Sequence, residues 1–519
     1  MSDATISLCV LGGAVVLFVS NRLPVELVAI GVALALYATG VIDLHGAFAG
    51  LGDPVVVFLA SLFVVSEGID ATGVTAWVGQ RLGHVVGNDR RRLLVLAMAM
   101  SAGLSALISP NGAVAALLPM VVMTAKRSGQ SPSVIAMPLA FAASAGALLV
   151  MTGTPINLMV SEAAINAGHE GFSFLAFAWV GVPLALGTIA IVTLLGPRLL
   201  PNRTSNVSTG DLSQYAQMLA QDYELRDTER LLDDQRGVAE VVISPRSRYV
   251  GDKVAPGVQT SGGLDVLAVQ RGGRARKDEV TLKVGDAVVV QGTWDRLEEN
   301  VRDDDVLVVD CPELTRRQAL PMGPRAGRAV AILVGMVLLL ALDVAPPAVV
   351  GLLAASTMVL TRVLRVEQAY RSISWTTVLL IAGMIPLSTA IQTSGAADIL
   401  AGLLLRVVGD GGPYALMVGL FVLVGVLGQI VSNTATALIV LPVAVSSATE
   451  MGVSPRPLLM LVTVACATSF LTPIGTPANM MVMGPGGYRF GDYWKLGLPL
   501  MAWFLVVAIA IIPLVWPFQ

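Results

Sequence analysis

Between Gly428 and Gly487 the chain sets two small-polar clusters inside otherwise apolar sequence. One is Ser432-Asn433-Thr434 and the other is Thr472-Pro473-Ile474-Gly475-Thr476-Pro477-Ala478-Asn479. Hydrocarbon tolerates broken backbone only where protein or a water-filled cavity satisfies the freed N–H and C=O groups. Two breaks so close together therefore predict a binding site at membrane depth. The membrane setting follows from composition. Mean hydropathy is +0.75, and 55% of the 519 residues are hydrophobic against 13% charged. A soluble chain of this length needs far more polar surface.

Several function classes drop out on the same grounds. A net charge of -3 leaves no electrostatic footprint for nucleic acid. Cys9, Cys311 and Cys466 lie far apart and form no metal or redox spacing. The sequence holds no nucleophile–base constellation, so it does not read as an enzyme. No basic segment or cleavage site precedes the first apolar run, which reads as a retained span.

Taken in order, Ile6 to Ser20, Val25 to Gly40 and Pro54 to about Val78 are apolar runs, the third carrying Glu67 and Asp70. Carboxylates inside a span are functional suspects; here a salt bridge or a solvated helix end is favoured over proton coupling. A basic loop with Arg81, His84, Arg90, Arg91 and Arg92 follows. Leu93 to Ile108 and Ala113 to Ala125 flank Ser109-Pro110-Asn111-Gly112, and each falls short of the roughly 20 residues a span needs. They are expected to form a re-entrant hairpin. Val134 to about Ala167 runs through a break at Thr152-Gly153-Thr154-Pro155-Ile156-Asn157, and Phe172 to Leu195 closes the half. Residues 198–328 are soluble in character. Gln214 to Gln235 reads as a charged helix or linker. Ala239 to Ile243, Asp265 to Val269 and Ala287 to Val290 alternate like short strands. A small α+β domain with its core at about 237–310 is expected there.

Residues 329–519 repeat residues 1–197. Pro24 and Pro346, Gly73 and Gly395, and Thr154 and Thr476 are each 322 positions apart; Ser109 and Ser432, and Pro119 and Pro442, are 323 apart. Five crossings and one hairpin per half would start the second copy on the opposite side. The basic residues, from Arg22 and Arg90-Arg91-Arg92 to Arg489 and Lys495, then fall mostly on one side, which the positive-inside rule makes cytoplasmic. Arg406 and Arg456 are exceptions. The expected fold is thus an all-α polytopic membrane protein of two inverted repeats. Each repeat has a re-entrant helical hairpin (tips 109–112 and 432–435) and a broken transmembrane helix (breaks 152–157 and 472–479). A small α+β cytosolic domain lies between the repeats, and both termini face outside.

Inverted repeats with matching broken helices point to a secondary transporter with its site near the bilayer midplane. Helix N-termini at the tips suit an anion. Carbonyl, hydroxyl and amide oxygens at Gly153 to Asn157 and Gly475 to Asn479 suit a small hard cation such as Na+ and disfavour transition metals. A gated cation channel would want a carbonyl-lined filter, and a proton antiporter or arsenite-type exporter would want titratable groups at the breaks; neither is present.

Ser432 to Thr434, Thr472 to Asn479 and Gly484-Pro485-Gly486-Gly487-Tyr488-Arg489-Phe490 together resemble the divalent anion:sodium symporter family of the ion transporter superfamily. The resemblance covers nearly the whole chain. It implies a homodimer in the inner (plasma) membrane, elevator-type alternating access, and import of a small divalent anion with Na+. Sulfate is the first choice of substrate, and di- or tricarboxylates follow. By the same resemblance Ser109, Asn111, Gly112, Thr154, Pro155, Ser432, Asn433, Thr434, Thr476 and Pro477 hold the anion. One Na+ falls to Ser109, Asn111, Gly153, Thr154 and Asn157, and a second to Ser432, Asn433, Gly475, Thr476 and Asn479. The first tip departs from the pattern, because Pro110 stands where asparagine is expected and lacks a donor N–H. The inserted segment resembles TrkA-C (potassium-conductance-regulator C-terminal) modules through Gly237 to Ile243, Leu264 to Arg271 and Val284 to Gly292. That implies dimerisation or a small regulatory ligand.

Overall fold

The computed structural model describes residues 2–20, 22–75, 77–78, 89–127, 130–203, 236–245, 247, 249–259, 263–271, 274–276, 278–293, 296–297, 306–308, 323, 325–408 and 411–519. The stretch Gln214 to Gln235, the basic residues Arg81, His84, Arg316 and Arg317, and Cys311 lie outside these. The chain divides into two units. One comprises Met1–Ile69, Arg81–Val207 and Arg325–Gln519, and the other Asp70–Gln80 and Ser208–Pro324.

The first unit is helical. Its first half contains α1 (Asp3–Ser20), α2 (Val25–Ala38), α3 (Leu44–Phe48), α4 (Pro54–Ala71), α5 (Arg90–Leu107), α6 (Pro110–Arg127), α7 (Ala136–Gly146), α8 (Pro155–Asn166) and α9 (Ala178–Leu199). Its second half contains α10 (Ala326–Ala341), α11 (Pro347–Leu360), α12 (Val366–Ser372), α13 (Trp375–Thr393), α14 (Ala396–Val408), α15 (Gly412–Leu427), α16 (Asn433–Glu450), α17 (Arg456–Cys466), α18 (Pro477–Gly486) and α19 (Tyr493–Val515). Among the described residues, five segments are long and apolar enough to cross a membrane. The chain is a multi-pass membrane protein.

The sequence offset recurs in the backbone. Pro24 and Pro346 cap α2 and α11, each just ahead of the first helical residue, with φ of -54° and -53° and extended ψ of 136° and 140°, and both helices run 14 residues. Proline is tolerated there because a cap needs no helical N–H from it and its ring fixes φ. Gly73 and Gly395 follow α4 and α13 at φ of 77° and 75°, a left-handed conformation that favours glycine. This corrects the third apolar run: its first helix stops at Ala71 instead of continuing to Val78. Glu67 and Asp70 therefore sit in the last turn of α4.

Small residues let the helices approach through their backbones. A Cβ on Gly383 of α13 would lie 2.7 Å from the Ala29 carbonyl carbon of α2, and one on the equivalent of Ala29, Gly351 of α11, would lie 2.7 Å from Phe58 of α4. In the first hairpin, Ser101 and Ser105 of α5 donate to the Leu139 and Ala143 carbonyls of α7 at 2.9 and 2.6 Å. The two halves also interleave: α18 packs on α6 and α7, and in the equivalent place α8 packs on α16 and α17. Helices α9 and α19 pack together. There Trp503 lies against Gly187, whose Cβ would come within 2.0 Å of the indole nitrogen. Gly187 and Trp503 are 316 positions apart, as are Gly181 and Gly497, so equivalent positions of the two copies meet face to face.

The second unit carries an antiparallel sheet of strand order β4-β3-β6-β1-β7. Its strands are β1 (Arg236–Ile243), β3 (Asp265–Arg271), β4 (Arg274–Arg276), β6 (Ala287–Thr293) and β7 (Val306–Val308); β2 (Lys253–Val254) pairs with β5 (Val280–Thr281). The three alternating runs of the sequence are β1, β3 and β6. Their inward faces bury Val241, Ile243, Val266, Val269, Val288 and Val290.

Arg271 clamps Asp286, which is 1% exposed, through bonds of 2.7 and 2.6 Å to its two oxygens. The guanidinium holds the Asp286 carboxyl below its ordinary value of 3.8. A depressed carboxylate contributes stability that is complete above the ordinary value and is lost as pH falls through the lower folded value, so acid loosening of the sheet is expected below about pH 4. Asp286→Ala is expected to lower hydrogen-exchange protection of the β3 and β6 amides by a few-fold, because it removes both charge-assisted bonds from Arg271 and the acceptor of Lys283 N. Unchanged protection would show that the clamp is idle.

Candidate functional site

Each broken helix is folded around one buried asparagine. Asn157, fully buried, donates both amide protons across its own break, to the Ala147 and Val150 carbonyls at 2.9 and 2.8 Å. Asn479, 1% exposed, donates to the Ser469 and Thr472 carbonyls at 2.7 and 3.1 Å. Ala147 and Ser469, Val150 and Thr472, and Asn157 and Asn479 are each 322 positions apart. The duplication therefore reaches individual hydrogen bonds.

These contacts fix the amide orientation, since only the NH2 end can serve two carbonyls. The other end is left over. Both Asn157 Oδ1 and Asn479 Oδ1 are buried with no hydrogen-bond partner. A buried acceptor without a donor costs about 1–3 kcal/mol. Each break thus holds an oxygen suited to a small cation.

The breaks differ in what surrounds that oxygen. At the second, Ser469 Oγ lies 2.9 Å from the Gly428 carbonyl and 2.6 Å from Asn433 Oδ1. One hydroxyl proton cannot fully serve two acceptors, so Ser469 is shared between the Gly428 carbonyl and the Asn433 amide. Gln429 ties the tip to the break: it donates to the Thr468 carbonyl at 3.2 Å and accepts from Leu471 N at 3.0 Å. Gly475 is buried beside Ser469, and a Cβ there would lie 2.7 Å from the serine Cβ. Asn433, Gly475 and Asn479 are thus brought together, with Ser469 between them.

Thr476 opens α18, its hydroxyl accepting from Asn479 N at 3.2 Å. Ser432 caps α16 by accepting from Ala435 N at 3.3 Å. Ser432 and Pro477 are exposed, and Thr434 is half-buried.

The first break is poorer in oxygen. The counterpart of Ser469 is Ala147, and that of Asn433 is Pro110. Ser109 caps α6, accepting from Gly112 N at 3.1 Å. Asn111 is exposed, Gly153 is buried, and Thr154 and Pro155 are half-buried at the start of α8. A Cβ on Gly153 would lie 2.3 Å from the Ala147 carbonyl oxygen. Among the described residues, the direct hydrogen bond from this break to the hairpin arm is Thr152 Oγ1 to the Ala106 carbonyl, at 3.4 Å. None joins Ser109 or Asn111 to Asn157.

Sequence reasoning missed Gln429, Ser469 and Tyr493, whose hydroxyl donates to the Asn479 carbonyl at 2.6 Å. The signal was available in the repeat. Ser469 and Tyr493 are polar where their partners, Ala147 and Phe177, are apolar.

Two repeats of broken helices with buried polar breaks, inside a multi-pass membrane unit, define a membrane transporter. The chain matches the citrate transporter (CitMHS) family model over residues 15–454 and 401–519. It belongs to that family, within the ion transporter superfamily that the motifs around Ser432 resemble. It is 31% identical to the uncharacterized transporter YfbS of Escherichia coli (strain K12), over 98% of this chain and 99% of that protein. It is 24% identical to the probable sodium/sulfate cotransporter 3 of Chlamydomonas reinhardtii, over 53% of this chain and 31% of that protein. It is 28% identical to the sodium-dependent dicarboxylate transporter SdcS of Staphylococcus saprophyticus, over 28% of this chain and 27% of that protein.

Proposed function

We propose that this protein imports a small divalent anion, sulfate foremost, coupled to Na+. The observation that carries the reading is the pair of buried, unpartnered amide oxygens on Asn157 and Asn479. A hard cation with oxygen-only ligands satisfies them, and Na+ fits that chemistry. Relatives named for sodium-coupled sulfate and dicarboxylate transport support it. The N-termini of α6 and α16, at the hairpin tips, present N–H groups and positive dipole to an anion. Ser109, Asn111, Gly112, Ser432, Asn433 and Thr434 would hold it there, with Thr154, Pro155, Thr476 and Pro477 at the breaks.

In this reading the two halves are inverted in an inner membrane. A transport element carrying both breaks moves as an elevator against a scaffold, in a homodimer with the sheet unit in the cytoplasm. A cavity of about 240 Å³ in that unit, lined by Tyr249, Asp252, Lys253 and Gln259 among apolar side chains, suits a small regulatory ligand. Na+-coupled transport of a di- or tricarboxylate is the second reading, favoured by the citrate transporter family match.

The test is uptake of radiolabelled sulfate, succinate and citrate into proteoliposomes under an inward Na+ gradient. Sulfate uptake that collapses when Na+ is replaced by choline is the expected result. Uptake of a carboxylate alone would select the second reading. No Na+-dependent uptake of any of the three would sink both.

A further inference from the structure

At the end of α9, Pro201 to Arg203 is bound to the segment that links α18 to α19. Ser133 Oγ donates to the Pro201 carbonyl at 2.6 Å, and Arg203 N donates back to that hydroxyl at 3.0 Å. The Arg203 guanidinium reaches Asp492 Oδ2 at 2.7 Å and the Gly487 carbonyl at 3.3 Å. Asp492, 5% exposed, also accepts from Arg489 N at 2.8 Å. Tyr488 completes the knot: its hydroxyl donates to the Ser133 carbonyl at 2.5 Å and accepts from Met137 N at 2.8 Å.

The residue after Asp492 is Tyr493. Its ring is fully buried, edge-on to Tyr488 and Phe141 at 5.9 and 6.4 Å. A buried phenol must spend its proton on a partner, or it carries a desolvation cost. Tyr493 spends it on the backbone carbonyl of Asn479, the residue that spans the second break. The equivalent position in the first half is Phe177, buried to the same degree at 1% exposed. The ring is kept in both halves, so packing accounts for the ring; the hydroxyl occurs only beside the oxygen-rich break.

We propose that Tyr493 is a positioning residue for cation binding at the second break, held in place by the Arg203–Asp492 ion pair. The hydroxyl fixes the first turn of α18 and so the point from which Asn479 Oδ1 projects. Arg203 fixes the first residues of α19, from which Tyr493 reaches in. The consequence is a cation response set mainly by the second break, with Asn157 lacking this support. The proposal rests on the sodium-coupled reading above.

The experiment uses the full chain in proteoliposomes, with whichever of the three anions the wild type takes up. Initial rates are measured against Na+ at saturating anion, and against anion at saturating Na+. Tyr493→Phe removes only the hydroxyl and recreates the first-half arrangement. It is expected to raise the Na+ concentration for half-maximal uptake by about 3- to 10-fold, the worth of one buried hydrogen bond, while the anion KM at saturating Na+ moves less than about twofold. Arg203→Gln is expected to shift the same curve in the same direction by a smaller factor. Superposable Na+ curves for wild type and Tyr493→Phe would overturn the proposal. So would a parallel rise in both constants with matching loss of thermal stability, the mark of a merely structural hydroxyl. Wild-type uptake that ignores Na+ would overturn the sodium-coupled reading and this proposal with it. Wild-type Na+ dependence beside an unmoved variant would overturn this proposal alone.

Discussion

Replacing Asn479 with alanine is expected to abolish Na+-dependent uptake, with at least a hundredfold loss at any Na+ concentration up to about 100 mM. The amide holds the break closed by donating to the Ser469 and Thr472 carbonyls. Alanine strands both carbonyls in a buried site, at about 1–3 kcal/mol each, and removes the oxygen proposed to meet the ion. Asn479→Asp separates the two effects. The carboxylate keeps an oxygen for the cation but cannot donate to the carbonyls, so partial activity with a raised Na+ requirement is expected. Asn157→Ala serves as the comparison: it strands the Ala147 carbonyl, while the Val150 carbonyl keeps its bond from Gly153 N at 3.2 Å, in a break poorer in oxygen. Its loss should fall more on thermal stability than on the Na+ curve. Asn479→Ala with an unaltered Na+ response would rule out a cation site at this break.

Gly153→Ala is expected to give the second large effect, seen as lost folded protein in fluorescence-detected gel filtration of the solubilised chain. The added Cβ would lie 2.3 Å from the Ala147 carbonyl oxygen and 2.8 Å from its carbon. Backbone cannot swing aside as a flexible side chain can, so the break must open, and overpacking of this kind typically costs about 1–3 kcal/mol. At the equivalent Gly475, the nearest atom is a serine Cβ at 2.7 Å and the backbone oxygens lie at 3.3 Å and beyond. Gly475→Ala is therefore expected to fold better than Gly153→Ala and to show its defect in Na+ dependence. Equal, near-normal melting of both variants would contradict the close approach at Gly153.

Much of this site was legible in the sequence, because duplication and hydropathy both act through local rules. Proline at a helix start, glycine after α4 and α13, and small-polar residues inside apolar runs each mark a backbone event that the residue itself dictates. Asn157 and Asn479 belong to that set, standing at fixed places after Thr-Pro. The ends of apolar runs were less legible. The third run reads as one span to Val78, but hydropathy does not register the left-handed turn that Gly73 imposes. Gln429, Ser469 and Tyr493 escaped for a different reason. A serine or tyrosine in an apolar helix ordinarily satisfies itself or packs, and only tertiary contact shows where its proton goes. Asn111 is a different case: its side chain is exposed and, among the described residues, no hydrogen bond joins it to Asn157, so nothing local to the sequence shows how the first tip and the first break meet.

The meeting of Gly187 and Trp503 bears on how the two copies depend on each other. Two copies of the second half would bring one indole against another in room that now admits a single ring. Two copies of the first would set glycine against glycine and leave out the indole that fills this half-buried contact. Neither half can pair with a duplicate of itself at this seam. The copies have become complementary parts, and a chain rebuilt from either one twice would lose its join.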